Sequence, residues 1–450
     1  MTPKQNDLLC RVEGDAPMGR IMRQHWLPAC MSEEVAEPDG APLRVRLLGE
    51  DMVVFRDTEG RIGALDEQCP HRRASLAFGR NEECGLRCLY HGWKFNVQGN
   101  AVDLSSEPVD ARLRTTMKTK AYPVQEGGGF VWVWMGDPAT PAPFDMPAWA
   151  PTPTTNIAIV KMHAACNWAQ VLEGSIDSAH SSSLHSTNMP TASGVTGSTA
   201  TDQSWLRPSA DKSPRMEVQK TSFGFRYAAI RQPVVEPEVQ DYVRVTLFIA
   251  PFTVMIPPTD KYDLCQLLVP IDDVNCMFYW IAWHPTDGIS QDEWRRFCGA
   301  EVGKDVEPVT YRKVRHAGNN YLQDRAAMKA GDFTGIYGIP AQDMAMWESM
   351  GPLADRHQDR LGSSDAAIVQ FRKQMYAAAK AATAGPATGS LEPRIPQRLL
   401  RSYEGLVPKS VDWRTINVSE EEQRLSSATK KAHSTVASTA EEAEPDFVRF

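Results

Sequence analysis

Apolar residues in the first third of the chain come in short bursts, not in helical periods. Segments 43–48 and 52–57 alternate in part, and Glu59-Gly60 and Gln98-Gly99 mark turns. Segment 130–134 is an unbroken run of aromatic and β-branched residues, Phe130-Val131-Trp132-Val133-Trp134. This pattern predicts a small all-β domain over 41–137, preceded by an N-terminal segment, 1–40, that packs with the larger second domain over 156–415. Pro138, Pro141, Pro143, Pro147, Pro151 and Pro153 then suit an extended connector over 138–155. Beyond it the periods mix. Segment 167–179 reads as a helix, 223–230, 242–250, 264–270 and 277–283 read as strands, and 365–382 as a helix, predicting an α+β domain over 156–415. Segment 186–214 is rich in Ser, Thr and Gly and reads as a long functional loop. Segment 416–450 carries Glu420-Glu421-Glu422, Lys430-Lys431 and Glu441-Glu442, the composition of a surface helix and tail.

At 450 residues the chain is long enough for two cores. A net charge of −8 without any basic run argues against a nucleic-acid partner. An anionic substrate would have to be caught by a few placed arginines. With no apolar run of about 18 residues, neither a signal peptide nor a membrane span is expected, and the cytoplasm is the expected location. The nine cysteines are odd in number and scattered, which suits a reducing compartment. Cys10, Cys30, Cys84, Cys166, Cys265, Cys276 and Cys298 follow no pairing pattern and read as core or surface thiols.

The other two cysteines sit in the strongest motifs of the chain. Cys69-Pro70-His71 and Cys88-Leu89-Tyr90-His91 each offer one thiol and one imidazole, with sixteen residues between His71 and Cys88. A Rieske [2Fe–2S] centre takes two thiolates on one iron and two imidazoles on the other. Two mixed loops can clamp it from two sides. A structural zinc site is the competing reading, because Cys2His2 also fits tetrahedral zinc. Zinc fingers, however, pair like with like in each half.

A second constellation begins at Asn167. Glu173, Asp177 and His180 fall at i, i+4 and i+7, one face of a continuous helix. His185 would lie roughly 140° further round unless the helix ends in Ser181-Ser182-Ser183 and lets it swing back. Two histidines with one carboxylate form the open facial set of non-haem iron oxygenases. Taken alone, two histidines five residues apart near a helix end are more often ordinary polar residues than metal ligands.

With these residues in view, the chain resembles the Rieske non-haem iron ring-hydroxylating oxygenases. The resemblance rests on Cys69-Pro70-His71, on Cys88-Leu89-Tyr90-His91-Gly92-Trp93, on the segment from Glu173 to His180 with His185, and on the order of the two motifs. It covers about residues 15–385. Within the family it is most similar to the phthalate dioxygenase branch, through Gln342-Asp343, Glu348-Ser349-Met350-Gly351-Pro352 and Asp355-Arg356. The resemblance implies an α+β chain: an all-β Rieske domain and a helix-grip catalytic domain, an antiparallel sheet around a long helix. It implies a [2Fe–2S] cluster, a mononuclear Fe(II), electrons from NADH through a separate reductase, and a trimer, alone or stacked into a hexamer. The third iron ligand is then a downstream carboxylate. Asp343 of the Gln-Asp pair is the choice, with Asp324 and Asp332 as rivals. Asp177 maps onto a bridging aspartate that links an iron-bound histidine to His91 of a neighbouring subunit.

Arginines point to the substrate. Arg244 lies within the apolar run Tyr242 to Phe248, and alternation puts Arg244, Thr246 and Phe248 on one face. Arg207 follows Trp205-Leu206 in the polar loop. Two guanidinium groups can each grip a carboxylate in bidentate fashion, which suits a vicinal dicarboxylate such as phthalate. Arg226 and Arg231 are weaker candidates. The leading reading is cis-dihydroxylation of such a dicarboxylate, phthalate giving the 4,5-cis-dihydrodiol. A monooxygenase or O-demethylase on another aromatic acid would use the same metals. A Rieske electron carrier would need none of His180, His185 or Asp343, and a zinc-stabilised binding module would lack an iron–sulfur spectrum.

Overall fold

Thr2 opens the chain with a capping box: its hydroxyl accepts the Gln5 N–H and the Gln5 side chain accepts the Thr2 N–H, with Pro3 leading helix α1 (Pro3–Cys10). The computed structural model describes residues 1–434 apart from 109–110, 151–152, 154–155, 193, 202 and 386–394. Pro151, Glu441 and Glu442 lie outside the described residues. The chain divides into two units, Val12–Asp145 and a second made of Met1–Arg11 with Met146–Phe450.

The unit Val12–Asp145 begins with α2 (Pro17–Met22) and β1 (Trp26–Met31). Strands β2 (Leu43–Leu47), β3 (Glu50–Arg56), β4 (Ile62–Asp66), β5 (Arg80–Glu82), β6 (Gly85–Arg87), β7 (Trp93–Phe95) and β8 (Ala101–Leu104) follow. The short helix α3 (Leu113–Thr116) leads to β9 (Ala121–Tyr122), β10 (Val124–Gly127) and β11 (Phe130–Trp134). They form antiparallel sheets in the orders β1-β11-β10, β2-β3-β4-β9 and β5-β6-β7-β8. Phe55, Leu65, Leu76, Leu86 and Phe95 pack together, and Cys69 and Cys88 belong to the same core. Cys69 lies on the connection from β4 to β5 and Cys88 on that from β6 to β7. The structure departs here from the expected 1–40 boundary. Trp26 to Met31 pairs with β11, so most of that segment is built into the β unit and only Met1–Arg11 falls with the other.

The second unit is a sheet holding helices. In chain order it contains β12 (Ile157–Ala164), α4 (Trp168–Ser175), a ribbon of β13 (Thr199–Ala200) and β14 (Trp205–Leu206), β15 (Arg215–Thr221), β16 (Gly224–Arg231) and β17 (Gln240–Ile249). Next come β18 (Thr253–Met255), β19 (Asp263–Pro270), β20 (Cys276–Trp283), α5 (Gln291–Phe297), α6 (Arg325–Lys329), α7 (Ile339–Ser349), α8 (Ala366–Ala384), β21 (Tyr403–Pro408) and α9 (Glu420–Ser434). The sheet is antiparallel in the order β12-β20-β19-β18-β17-β16-β15, with β21 on β17. Every residue of β16 is buried, as expected of a strand covered on both faces. Phe371 of α8 meets Phe248 of β17 at 5.4 Å and Trp168 of α4 at 5.9 Å, which places both helices on one face of the sheet. This is the α+β class expected, an all-β domain followed by a helix-grip domain. Among the described residues no helix is long and apolar enough to cross a membrane.

Candidate metal centres

The first candidate centre is made by two turns. The Cys69 N–H donates to Ala74 O at 2.9 Å and the Arg73 N–H to Cys69 O at 2.9 Å, closing one loop. In the other, the Cys88 N–H donates to Trp93 O at 2.8 Å and the Gly92 N–H to Cys88 O at 3.0 Å. Gly92 has φ +73°, and a Cβ there would collide with the Ser105 hydroxyl, so this turn needs glycine. Cys69 and Cys88 are 1 % and 2 % exposed, and His71 and His91 meet edge to face at 4.3 Å. Trp93 stacks on His71 at 4.3 Å and 9°, while its Nε1 donates to Ser106 Oγ at 2.9 Å. The His71 Nδ1 is buried without a partner. Burial pushes the Cys69 thiol up to about 11, so without a metal it stays protonated. Two adjacent buried thiols, two adjacent imidazoles and one orphaned ring nitrogen fit a [2Fe–2S] cluster.

The second candidate centre starts at α4. Asn167 caps it by accepting the Ala169 N–H at 3.0 Å. The helix stops at Ser175, four residues short of the expected end. A Cβ at Gly174 would collide with the Trp347 indole, and Asp177 turns its carboxylate onto the Ala179 N–H at 2.8 Å, an alternative to helical bonding. Asp177 and His180 are therefore not successive turns of one helix face. They belong to a tight reversal, continued by a 3-10 turn His180–Ser182.

That reversal brings His180 and His185 back to α7. The Nε2 atoms of the two histidines lie 3.2 Å apart, and Asp343 Oδ1 is 3.4 Å from the first and 2.9 Å from the second. The His185 Nδ1 lies 2.7 Å from Gln342 Oε1, while the Gln342 amide donates to Asn188 Oδ1 at 3.0 Å and Ile336 O at 2.9 Å. With its NH2 group so committed, Gln342 presents an acceptor. His185 must then donate from Nδ1 and leave its Nε2 lone pair facing His180 and Asp343. Three atoms gathered at one point, with Asp343 Oδ1 lacking a hydrogen-bond partner, are a donor set for a cation. The electrostatics show the same demand for positive charge, met by a proton on His180 that a metal would displace. Burial works against the Asp343 carboxylate, yet the two imidazoles hold its pKa down at about 2. Burial likewise opposes the charged His180 ring, but Asp177 and Asp343 raise it to about 10.

The rivals of Asp343 have other work. Asp324 caps α6 through the Ala326 and Ala327 N–H groups, and Asp332 accepts the Thr334 N–H in a turn. Arg244 lines the cavity that also holds His180, His185, Asp343 and Asp177. Thr246 lines it too, whereas Phe248 on the same strand face packs against α8. Arg207 is not among the lining residues: its guanidinium donates to Ser181 Oγ at 3.1 Å and Ser181 O at 2.8 Å, bracing the turn between the two histidines. Arg231 donates to Ser178 O at 2.8 Å in the same turn. Arg226 sits elsewhere, over the Trp413 ring and bonded to Gln219. Four residues have roles that the sequence did not assign: Gln342 as a partner of His185, Trp205 and Trp280 as cavity walls, and Glu404, which opposes Arg244 across β17 and β21.

Comparison with known proteins joins the two centres in one family. Residues 25–118 match the Rieske [2Fe-2S] domain and residues 133–436 the LigXa C-terminal domain like family. The chain is 54% identical over 416 residues to the phthalate 4,5-dioxygenase oxygenase subunit of Pseudomonas putida, covering 92% of this chain and 94% of that protein. It is 35% identical to the 3-chlorobenzoate-3,4-dioxygenase oxygenase subunit of Comamonas testosteroni, covering 92% and 96%. It is 32% identical to the 5,5'-dehydrodivanillate O-demethylase oxygenase subunit of Sphingobium sp., covering 83% and 79%. Among solved structures, dicamba monooxygenase bound to dicamba shares the fold with a TM-score of 0.55 at 18% identity, covering 81% of this chain and 99% of that one.

Proposed function

The chain belongs to the Rieske oxygenases, and we propose that it converts phthalate to its 4,5-cis-dihydrodiol, using O2 and electrons passed from NADH by a separate reductase. The observation that carries the substrate assignment is Arg244, a buried cation facing the same cavity as His180, His185 and Asp343. A buried guanidinium facing a cavity is a natural partner for a carboxylate, which it can grip in bidentate fashion. The 54% identical relative is named for phthalate.

The enzyme works with a Rieske [2Fe–2S] cluster and a mononuclear iron. In the proposed assignment Cys69, His71, Cys88 and His91 hold the cluster and His180, His185 and Asp343 the iron. The mononuclear iron, when bound, supplies a redox-active centre with open positions for dioxygen chemistry. The chain does the rest. Gln342 fixes the His185 tautomer. Arg244 anchors a substrate carboxylate, so that the far edge of the ring can face the histidines. Trp205, Trp280 and Trp347 supply apolar walls that exclude water. Arg207 and Arg231 hold the turn that carries His180. Arg207 would reach a second carboxylate only by giving up Ser181. Asp177 is the proposed bridge to His91 of a neighbouring copy in a trimer or stacked hexamer. The cytoplasm, where NADH is drawn on, is the proposed location.

Turnover with phthalate under isotopically labelled dioxygen tests this reading. Both oxygen atoms should enter the product. Arg244→Gln should raise KM by about a hundredfold, the cost of removing one partner of a buried charge pair. A single labelled atom in the product, or faster removal of a methyl group from a methoxybenzoate, would instead favour the monooxygenase or O-demethylase reading, in line with the O-demethylase relative. Asp343→Ala should lose the mononuclear iron and keep the visible spectrum of the cluster. Full iron occupancy in that variant would return the third ligand to Asp324 or Asp332.

A further inference from the structure

Behind Arg244 lies a carboxylate that the reaction as described does not use. Glu404 of β21 is the cross-strand partner of Arg244 on β17, with Oε2 3.6 Å from the arginine Nε. Its other oxygen, Oε1, accepts from the hydroxyls of Tyr242 and Ser198. Oε2 is buried with no hydrogen-bond partner, and so is the Arg244 Nε. The groups facing Glu404 are Tyr242 and Arg244 from β17, Ser198 ahead of β13, Arg207 after β14 and Arg231 from β16. Of the three guanidinium groups, Arg207 and Arg231 are committed in part to carbonyls of the Ser178–Ser182 turn, while Arg244 lines the cavity.

We propose that Glu404 is the resident counter-charge of Arg244 and that binding of a carboxylate substrate is accompanied by protonation of Glu404. This rests on the reading of Arg244 as the substrate's carboxylate anchor. In the free enzyme the Arg244 charge is shared with Glu404. An incoming carboxylate takes that guanidinium and brings its own negative charge to the same buried region. Two carboxylates then face the Arg244 charge in a medium of low dielectric, with Arg207 and Arg231 partly committed to carbonyls, and the cheaper outcome is to neutralise the one that holds a proton more tightly, Glu404. Oε2 can carry that proton, because it has no hydrogen bond to lose, while Oε1 keeps its two hydroxyl donors. Glu404 is also poised for it: burial pushes its carboxyl up to about 7, against the Ser198 hydroxyl and the Arg207 and Arg231 charges. Glu404 is thus a positioning residue that sets how strongly the pocket prefers anions at a given pH.

The sign follows from linkage. Well below the free-enzyme value Glu404 is already neutral and binding needs no proton. Above it, each substrate bound takes up one proton, so Kd rises about tenfold per pH unit. Calorimetric titration of the holoenzyme with phthalate, in buffers of different ionisation enthalpy between about pH 6 and about pH 8.5, reads that proton directly. The expected result is uptake of about one proton at the alkaline end, and a Glu404→Gln variant that takes up none, binds with a flat pH profile, and binds tighter than the wild type at the alkaline end. Wild-type binding without proton uptake, or a variant profile parallel to the wild type, overturns the proposal. Because the wild-type proton count is decisive by itself, a variant that fails to fold does not rescue the idea. If the wild type binds no phthalate, or Arg244→Gln binds it unchanged, the reading of the cavity falls. If that reading holds and no proton is taken up, Glu404 alone is misassigned.

Discussion

The Nδ1 of His185 lies 2.7 Å from the amide oxygen of Gln342, the residue just before Asp343 on α7. One helix thereby supplies both a carboxylate to the candidate iron site and the group that orients an imidazole facing it. The amide cannot flip without giving up its bonds to Asn188 and Ile336. The first prediction follows. Gln342→Leu should weaken metal retention by about 10- to 100-fold, the usual effect of losing such a partner. Gln342→Glu keeps the acceptor for His185 but loses the two donor bonds to Asn188 and Ile336, so it should retain the metal better than the leucine variant and less well than the wild type. Refilling of the apo site with Co(II), followed by its optical spectrum, checks both variants independently of turnover.

A second prediction concerns Glu173, which the sequence places in the metal motif but the structure uses elsewhere. Its Oε1 is 2.8 Å from both Arg356 Nε and Arg372 Nε, and all three side chains are buried. Burial opposes the Glu173 carboxylate, but the two guanidinium groups hold its pKa at about 2, down from 4.5. A carboxyl depressed on folding stabilises fully above its unfolded value, and that contribution is lost as pH falls toward the folded value. Glu173→Gln should therefore cost about 3–5 kcal/mol at neutral pH, because it leaves two buried cations short of their partner. The deficit should shrink between pH 4.5 and about 2. Denaturant unfolding of variant and wild type at both ends of that window measures it.

The fold and half of the site were legible because their signals are local. Each cluster loop carries its own Cys and His, and runs such as 130–134 and 264–270 are strands by composition alone. The histidine reversal was less so. Helical periodicity extended α4 to residue 179, because the close packing of Gly174 on Trp347, where a Cβ would collide, joins residues far apart in sequence. Pairings of this kind leave no periodic trace. Gln342 with His185 and Glu404 with Arg244 are joined only when α7 and β21 close on the sheet. Arg207 shows the converse. Its loop placement suggested a free cation, and the fold spends it on Ser181.

The third prediction addresses the cluster. His71 stacks on Trp93 and keeps an unpartnered Nδ1 in a buried position. Replacing this neutral imidazole by a thiolate adds negative charge to a site that already holds two thiolates. His71→Cys should lower the reduction potential by about several hundred millivolts, toward the all-cysteine range, or prevent assembly of the cluster. Spectroelectrochemical titration measures the shift, and an unchanged potential with an intact cluster would remove His71 from the ligand set.

The last prediction concerns electron flow between copies of the chain. Asp177 Oδ2 lies 3.5 Å from His180 Nδ1, and Oδ1 accepts the Ala179 N–H, so the carboxylate is held by its own turn against a candidate iron ligand. Its side chain remains 22% exposed, which leaves it open to a group from outside. In the other unit, the loop that carries His91 exposes Leu89 and Tyr90, large apolar side chains that a neighbouring surface would cover. A carboxylate set between two imidazoles can accept a hydrogen bond from each and hold them in line. Asparagine keeps the shape but loses the charge and one of the two acceptor oxygens. Asp177→Asn should therefore keep the fold and both metal centres while turnover falls by about two orders of magnitude or more, the larger end of the effects seen for such partners. Rapid mixing of the pre-reduced variant with substrate and oxygen isolates the step: reoxidation of the Rieske cluster should slow by a similar factor. Reoxidation at the wild-type rate, or full activity in a monomer, would show that Asp177 orients His180 without bridging to His91.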